Sequence, residues 1–237
     1  LQWGTMEGIF GALFMALSWH LACRGINTAK IRFSHISWTS FDHMDVNFKQ
    51  TKTQQHGKAK RQKRAVYSNP YEHYINIPFL LGLYLSCSCF FTQAQGRQDG
   101  SSQSQSDRAS AILKKVLKEN KQEVLSMGYN SVTHIGLHSI WKGVSTYLAS
   151  LPGGPSPAAL CLRGGWSMGQ VKDIYFHQTQ GCDKFTGRCS TLLNMMNGKF
   201  ASSPAFFDDG VDANWMTETI GKVLPNFQSV VGMDRIL

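Results

Sequence analysis

The segment from Met6 to Cys23 reads MEGIFGALFMALSWHLAC and places the tightest constraint on the fold, because it is apolar almost throughout. It contains Glu7 and His20 but no polar face of its own. A helix that is apolar on every side has to be covered by the rest of the chain. Hydrophobic residues make up 42% of the sequence, enough to supply that cover. A second apolar run starts near Pro78 and continues to about Phe91; it is too short to cross a bilayer comfortably. Both are expected as buried helices, with no membrane partner. The first resembles a signal-peptide core only superficially, since no basic segment precedes it. The chain opens on Leu1 rather than Met, so further sequence is expected upstream.

Between these helices the pattern changes to that of strands. Ile31 and Phe33 lie two apart within Asn27–Trp38, and Met44, Val46 and Phe48 alternate with Asp45 and Asn47. Ala65-Val66-Tyr67 forms a third short strand before the turn signal Ser68-Asn69-Pro70. The expected unit is a small antiparallel meander, with the basic segment Lys49–Arg64 looping between its last two strands. Residues 93–108 (QAQGRQDGSSQSQSDR) are low in complexity and nearly free of apolar side chains, and are expected to be a disordered loop. Ala109 to Met127 resumes helical periodicity.

A helix is expected over His138–Ala149 and a loop over Leu151–Pro155. Ser156 followed by Pro157 has the form of an N-cap with proline at the first helical position. The short helix that follows should stop at Gly164 and Gly165. Ser167-Met-Gly-Gln170 fits a capping box that opens the helix carrying Tyr175. Arg163 is expected to cap its short helix or pair locally. The tail from Asn197 is expected to pack on the outside.

The chain has 237 residues and a net charge of +9, with 24 basic residues against 15 acidic ones. That balance favours a polyanionic partner, because lysines and arginines that neutralise phosphates release condensed counterions. The basic run Lys58, Lys60, Arg61, Lys63 and Arg64 allows three readings: a solvated loop, a phosphate-tracking hairpin or a nuclear address. The six cysteines form no C-x-x-C pair and are expected as free thiols in a reducing, intracellular compartment. His134 and His138 lie one helical turn apart, but no adjacent Glu or third ligand makes a zinc site, so no metal and no small-molecule cofactor is expected.

Three blocks carry chemistry when taken together: His138-Ser-Ile-Trp141-Lys142-Gly143, Leu162-Arg-Gly-Gly-Trp166-Ser-Met-Gly169 and Asp173-Ile-Tyr175. Singly, each residue has a plainer explanation. Tyr175 would be an ordinary tyrosine, Trp166 a core anchor, His138 a satisfied polar group and Arg24 a solvated helix end. Their joint order and flanking blocks resemble the tyrosine recombinases, and more closely the recombinase domains of Crypton-like eukaryotic mobile elements. Gly181-Cys-Asp183 and Phe185-Thr-Gly-Arg188 continue the resemblance. Upstream, Cys23-Arg24-Gly-Ile-Asn-Thr28, His35-Ile-Ser-Trp38, Thr51-Lys52-Thr53 and Tyr67-Ser-Asn-Pro70 match more loosely. The likeness spans roughly residues 8–207.

The resemblance implies a mainly helical α+β catalytic domain over residues 1–207, with a small three-stranded antiparallel sheet near its N-terminus, and a C-terminal tail over residues 208–237. It implies metal-free cleavage and rejoining of double-stranded DNA through a 3′-phosphotyrosyl link. Tyr175 would be the nucleophile, since a phenolate can both attack phosphorus and later leave. Arg24 would clamp the scissile phosphate, as a guanidinium grips two oxygens at once. Lys52 would protonate the leaving oxygen, His138 would act as acid–base partner or phosphate donor, and Trp166 would hydrogen-bond the phosphate. Lys142 would add to the DNA-binding charge. A homotetramer on DNA and a nuclear location follow from the same resemblance. No counterpart of the family's arm-like DNA-binding domain precedes these blocks in the chain, which weakens the expected encirclement of DNA.

Trp141 stands where the family pattern has arginine. An indole offers one N–H and no charge, and removing one donor from a preorganised oxyanion site costs roughly 10²–10³ in rate. Lys142 lies about 100° further round the helix and lacks the fork geometry. One base transition converts an arginine codon to tryptophan, as in decay of an unselected mobile element. The expectation is an enzyme weakened or silenced on a DNA-binding scaffold, with a non-catalytic DNA-binding relict or co-opted protein as the alternative. An unrelated basic helical interaction protein would be indicated if Arg24, His138 and Tyr175 lay far apart.

Overall fold

The computed structural model describes residues 5–40, 43–48, 62–91, 102–166 and 180–200. It is mainly helical, with one small antiparallel sheet. The first helix, α1 (Met6–His20), runs through the centre and packs against α3 (Ile77–Phe91), α4 (Ser102–Glu119) and α6 (Leu137–Ser150). Its N-terminus is capped by Thr5, whose hydroxyl accepts from the Gly8 N–H at 3.1 Å. Gly11 lets α4 approach closely: a Cβ there would lie 2.7 Å from Ile112 Cγ2. Three apolar clusters surround α1. One joins Leu13 and Leu17 to Met44, Val46, Val66, Ile77 and Leu80; one joins Phe10 and Phe14 to Ala109 and Ile112; one joins Ala22 to Val144, Leu148 and Leu160. Complete burial of a leucine such as Leu80 or Leu148 contributes about 1.5–3 kcal/mol each. Among the described residues no helix is long and apolar enough to cross a membrane. The second apolar helix, α3, buries Leu80 and Leu81 but leaves Phe79 exposed, so it is covered on one side only.

The sheet is a meander of β1 (Ile36–Ser40), β2 (His43–Phe48) and β3 (Gln62–Tyr67), in that order. Trp38 pairs with Met44, Met44 with Val66 and Val46 with Arg64. Two parts of the expected sheet differ. The Asn27–Thr28 end of the first expected strand belongs to the short helix α2 (Gly25–Thr28), and Phe33–His35 form a 3₁₀ turn, so the strand starts only at Ile36. The Arg24 carbonyl draws the chain into this helical turn by accepting from the N–H groups of Asn27 and Thr28. At the other end, β3 starts three residues earlier than expected. Residues of like parity share a strand face, so Arg64 lies with Val66 on the core side. Its guanidinium is buried and donates to the Leu21 carbonyl at 2.7 Å. Arg64 is therefore a core residue and not part of a DNA-facing basic run.

Two further expectations are corrected. Residues 102–108 are not loop but the first turns of α4, held by packing that their composition does not announce. Arg108 lies over the Phe10 ring at 4.3 Å and pairs with Glu7 at 3.8 Å. The helical stretch 109–127 is broken at Asn120, which leaves α5 (Lys121–Ser126) as a separate turn. There the Asn120 side chain donates to the Val116 carbonyl at 2.8 Å, competing with the backbone.

The last two described helices, α7 (Pro157–Gly164) and α8 (Gln180–Cys189), close the structure around β3. Ser156 caps α7 as expected, accepting from the Ala159 N–H at 3.2 Å. Arg163, far from capping locally, is buried between elements distant in the chain. Its Nη1 donates to Asp183 Oδ1 at 2.7 Å, its Nη2 to the carbonyls of His20 at 2.7 Å and Ala65 at 2.8 Å, and its Nε to His20 at 3.1 Å. The second oxygen of Asp183 accepts from the Ala65 N–H at 2.6 Å. Ala65 faces the outer edge of β3, so this ion pair closes an edge that would otherwise be open to pairing. Gly187 of α8 lies directly on the Ala65 carbonyl, leaving no room for a Cβ.

His20 sits against this cluster, fully buried, with Nε2 on the Ile75 carbonyl at 2.8 Å and Nδ1 on Ser190 Oγ at 3.2 Å. Burial lowers its pKa to about 4; the Ile75 contact opposes the shift and the Arg163 charge adds to it. The folded protein therefore holds His20 neutral where the unfolded chain, with an ordinary pKa of 6.5, binds a proton. Between pH 4 and 6.5 the unfolded state carries more protons, so stability rises with pH in that window and is lost as pH falls through it. The contribution is about 1.4 kcal/mol per pH unit at most. Urea titrations across this window should show a shallower slope for His20→Gln than for the natural chain; equal slopes would remove His20 as the cause.

Candidate functional site

Four of the residues singled out from sequence come together. The C-terminal end of α1 turns sharply at Ala22, whose φ is 45°, and delivers Arg24 as the residue preceding α2. The corner is tied by Ser18, Cys23 and Thr28: Ser18 Oγ lies 2.8 Å and Cys23 Sγ 3.2 Å from Thr28 Oγ1. Burial pushes the Cys23 thiol pKa up, so it stays protonated in this corner. The Arg24 guanidinium projects over the Trp141 ring, 5.4 Å from its centroid. On the first turn of α6, His138 meets Trp141 with ring centroids 4.8 Å apart, the neighbours expected one helical turn apart.

Trp166 reaches the same ring from α7, edge-on, at 5.1 Å and 84°. Its place follows from how α7 ends. Gly165 adopts φ 68°, the Gly165 N–H bonds to the Leu162 carbonyl at 3.3 Å and the Trp166 N–H to the Cys161 carbonyl at 2.8 Å. This is the paired pattern of a Schellman motif. The Trp166 ring then folds back onto Gly164, where a Cβ would lie 2.8 Å from it.

The cluster carries the Arg24 charge at its surface and two indole rings beneath it. Arg24 and His138 are exposed, as is Lys142 on the next position of α6. Among the described residues no carboxylate or carbonyl accepts from the Arg24 guanidinium. Among the described residues, the buried indole nitrogens of Trp141 and Trp166 have no hydrogen-bond acceptor. An unmet buried donor costs about 1–3 kcal/mol, and two in one cluster favour a ligand that brings acceptor oxygens. The cation–π contact of an exposed arginine contributes only about 0.5–1 kcal/mol. A charge-assisted hydrogen bond to phosphate contributes about 1.5–3 kcal/mol, so Arg24 can leave the ring for an anion at a net gain.

Other expected site residues are not part of this cluster. Tyr175 and Lys52 lie outside the described residues, as do Lys58, Lys60 and Arg61 of the basic run. Lys63 is exposed on β3, with its ammonium 3.7 Å from Asp45. Arg64 is buried, and its pKa falls to about 10 through burial, which leaves it charged near neutrality. Sequence reasoning missed the part played by Arg163, Arg64, Asp183 and His20. A strand begun at Gln62 would have put Arg64 on the face of Val66, but nothing in the sequence pairs Arg163 with Asp183. The five described cysteines are unbridged, and only Cys23 and Cys189 are buried.

No protein-family model matches this chain, and no curated protein or solved structure matches it either.

The Schellman turn makes a direct prediction. Gly165→Ala should cost on the order of 1 kcal/mol, because a Cβ disfavours the left-handed conformation. It should also shift the tryptophan emission as Trp166 leaves Trp141. Unchanged stability and emission would show that the turn does not set the Trp166 position.

Proposed function

We propose that this chain is a DNA-backbone-binding domain descended from the catalytic domain of a tyrosine recombinase, with strand cleavage through Tyr175 blunted by Trp141. The observation that carries this reading is the convergence of Arg24, His138, Trp141 and Trp166. Three widely separated segments supply them, and they meet in one cluster. A net charge of +9 accords with a polyanionic partner. The mainly helical fold with a three-stranded antiparallel sheet is of the expected class.

In this reading Arg24 and His138 approach a backbone phosphate from the solvent side. Trp166 supplies an indole N–H to a non-bridging oxygen, and Tyr175 attacks phosphorus while Lys52 protonates the departing 5′ oxygen. At position 141 the natural side chain contributes a ring under Arg24 instead of a second guanidinium. Charge that develops on the phosphoryl oxygens then meets one arginine, not two, and the chemical step slows while binding persists. Function in a nucleus, within a homotetramer on DNA, belongs to the same proposal. A binding protein that has lost cleavage altogether is the same scaffold carried one step further.

Two experiments test it. Arg24→Ala should weaken binding to a duplex oligonucleotide and reduce the slope of log K against log salt by about 0.9, the loss of one phosphate contact. Trp141→Arg should raise covalent attachment to a nicked suicide duplex by roughly 10²–10³, and adding Tyr175→Phe should abolish it. Equal attachment with and without the arginine would refute the account of Trp141, and salt-independent binding would refute the phosphate contact.

A further inference from the structure

Arg163 and Arg64 are both buried and charged, and the proposed chemistry uses neither. Their partners share a location. Arg163 holds the His20 carbonyl and Arg64 the Leu21 carbonyl, where α1 ends and its backbone carbonyls lack helical partners. Two guanidiniums also complement the negative end of the α1 dipole. The next residues are Ala22, in its strained corner, Cys23 and Arg24. On its other side Arg163 belongs to the last turn of α7, immediately before the Gly164-Gly165 turn that places Trp166. One planar side chain thus spans the origins of Arg24 and Trp166, and Asp183 and Ala65 hold it in plane.

We propose that Arg163 and Arg64 are positioning residues that set Arg24 against the Trp141–Trp166 pair. Arg163 serves α1, β3 and α8 at once because its donors are fixed in one plane. A lysine keeps the charge and the Asp183 pairing but cannot reach three carbonyl and carboxylate groups in that geometry. The proposal deepens the DNA-binding reading and rests on it for its binding readout alone.

The test compares Arg163→Lys with Arg24→Ala and the double variant. Arg163→Lys should still unfold cooperatively with an unchanged far-ultraviolet circular dichroism spectrum. It should lose the near-ultraviolet signal of the edge-on Trp141–Trp166 pair, and bind duplex about tenfold more weakly, as loss of one charge-assisted contact to phosphate would produce. The double variant should bind no more weakly than Arg24→Ala, because coupled residues do not add. Should Arg163→Lys fail to fold, Arg64→Lys, which leaves the Arg163–Asp183 pair in place, carries the same comparison at Leu21. A folded lysine variant with the tryptophan signal intact, or with a binding loss that adds fully to that of Arg24→Ala, would overturn the proposal. Loss of the tryptophan signal in a chain that binds no duplex at all would uphold the positioning role and overturn the DNA-binding reading.

Discussion

The buried pair of Arg163 and Asp183 is the interaction on which the rest of the structure depends. It joins α7 to α8 directly, and through the His20 and Ala65 carbonyls it reaches the end of α1 and the edge of β3. Burying two charges is costly, and it is tolerable here because the Arg163 guanidinium donates to oxygens of His20, Ala65 and Asp183 with each of its nitrogens, and both Asp183 carboxylate oxygens accept. Removing one partner of such a pair costs about 3–5 kcal/mol, most of it from the charge left behind. An apolar replacement could fill the same volume. It could not satisfy the helix-end carbonyls of α1 or the outward N–H and carbonyl of Ala65, so the ionic solution also serves the backbone.

The candidate site follows from that arrangement. Arg24 leaves a corner whose preceding carbonyls are gripped by two guanidiniums, and Trp166 leaves a glycine turn one residue beyond Arg163. Between them lies Trp141, fixed on α6 by the packing of Val144 and Leu148 against Ala22 and Leu160. Trp141 supplies a flat ring that holds a neighbouring cation and meets another indole edge-on. On the proposed reading it stands in place of a second cation, and such a cluster would retain affinity for phosphate more readily than catalysis, because ground-state binding needs one good cation while the transition state needs several preorganised donors.

Much of the local structure was legible in the sequence, where short-range chemistry decides. Ser156-Pro157 and Gly164-Gly165 mark the ends of α7, and both caps are formed. The alternation of Met44 and Val46 marks a strand with one buried face, and the uniform apolarity of Met6–Cys23 marks the central helix. What escaped was long-range. Ser102–Arg108 looks too polar to order, yet Arg108 packs on Phe10 and extends α4. Arg64 read as a surface cation because its strand was begun at Ala65, one residue too late to assign it a face. Arg163 read as a local cap because its partners come from three other elements. Of the candidate site, the sequence blocks brought Arg24, His138 and Trp166 together with Trp141, and these four do meet, while Lys52 and Tyr175 lie outside the described residues. That Arg24 would stack on Trp141 was not legible, since spacing carries no information about which rings touch.

The most direct test of the central claim is a titration of the isotope-labelled protein with a short duplex, following the indole N–H of Trp141 and Trp166 and the Nε–H of Arg24 by nuclear magnetic resonance. The account predicts that the Arg24 and Trp166 signals shift together, with one shared affinity that weakens as salt is raised. Saturable duplex binding that leaves both signals unmoved would contradict it.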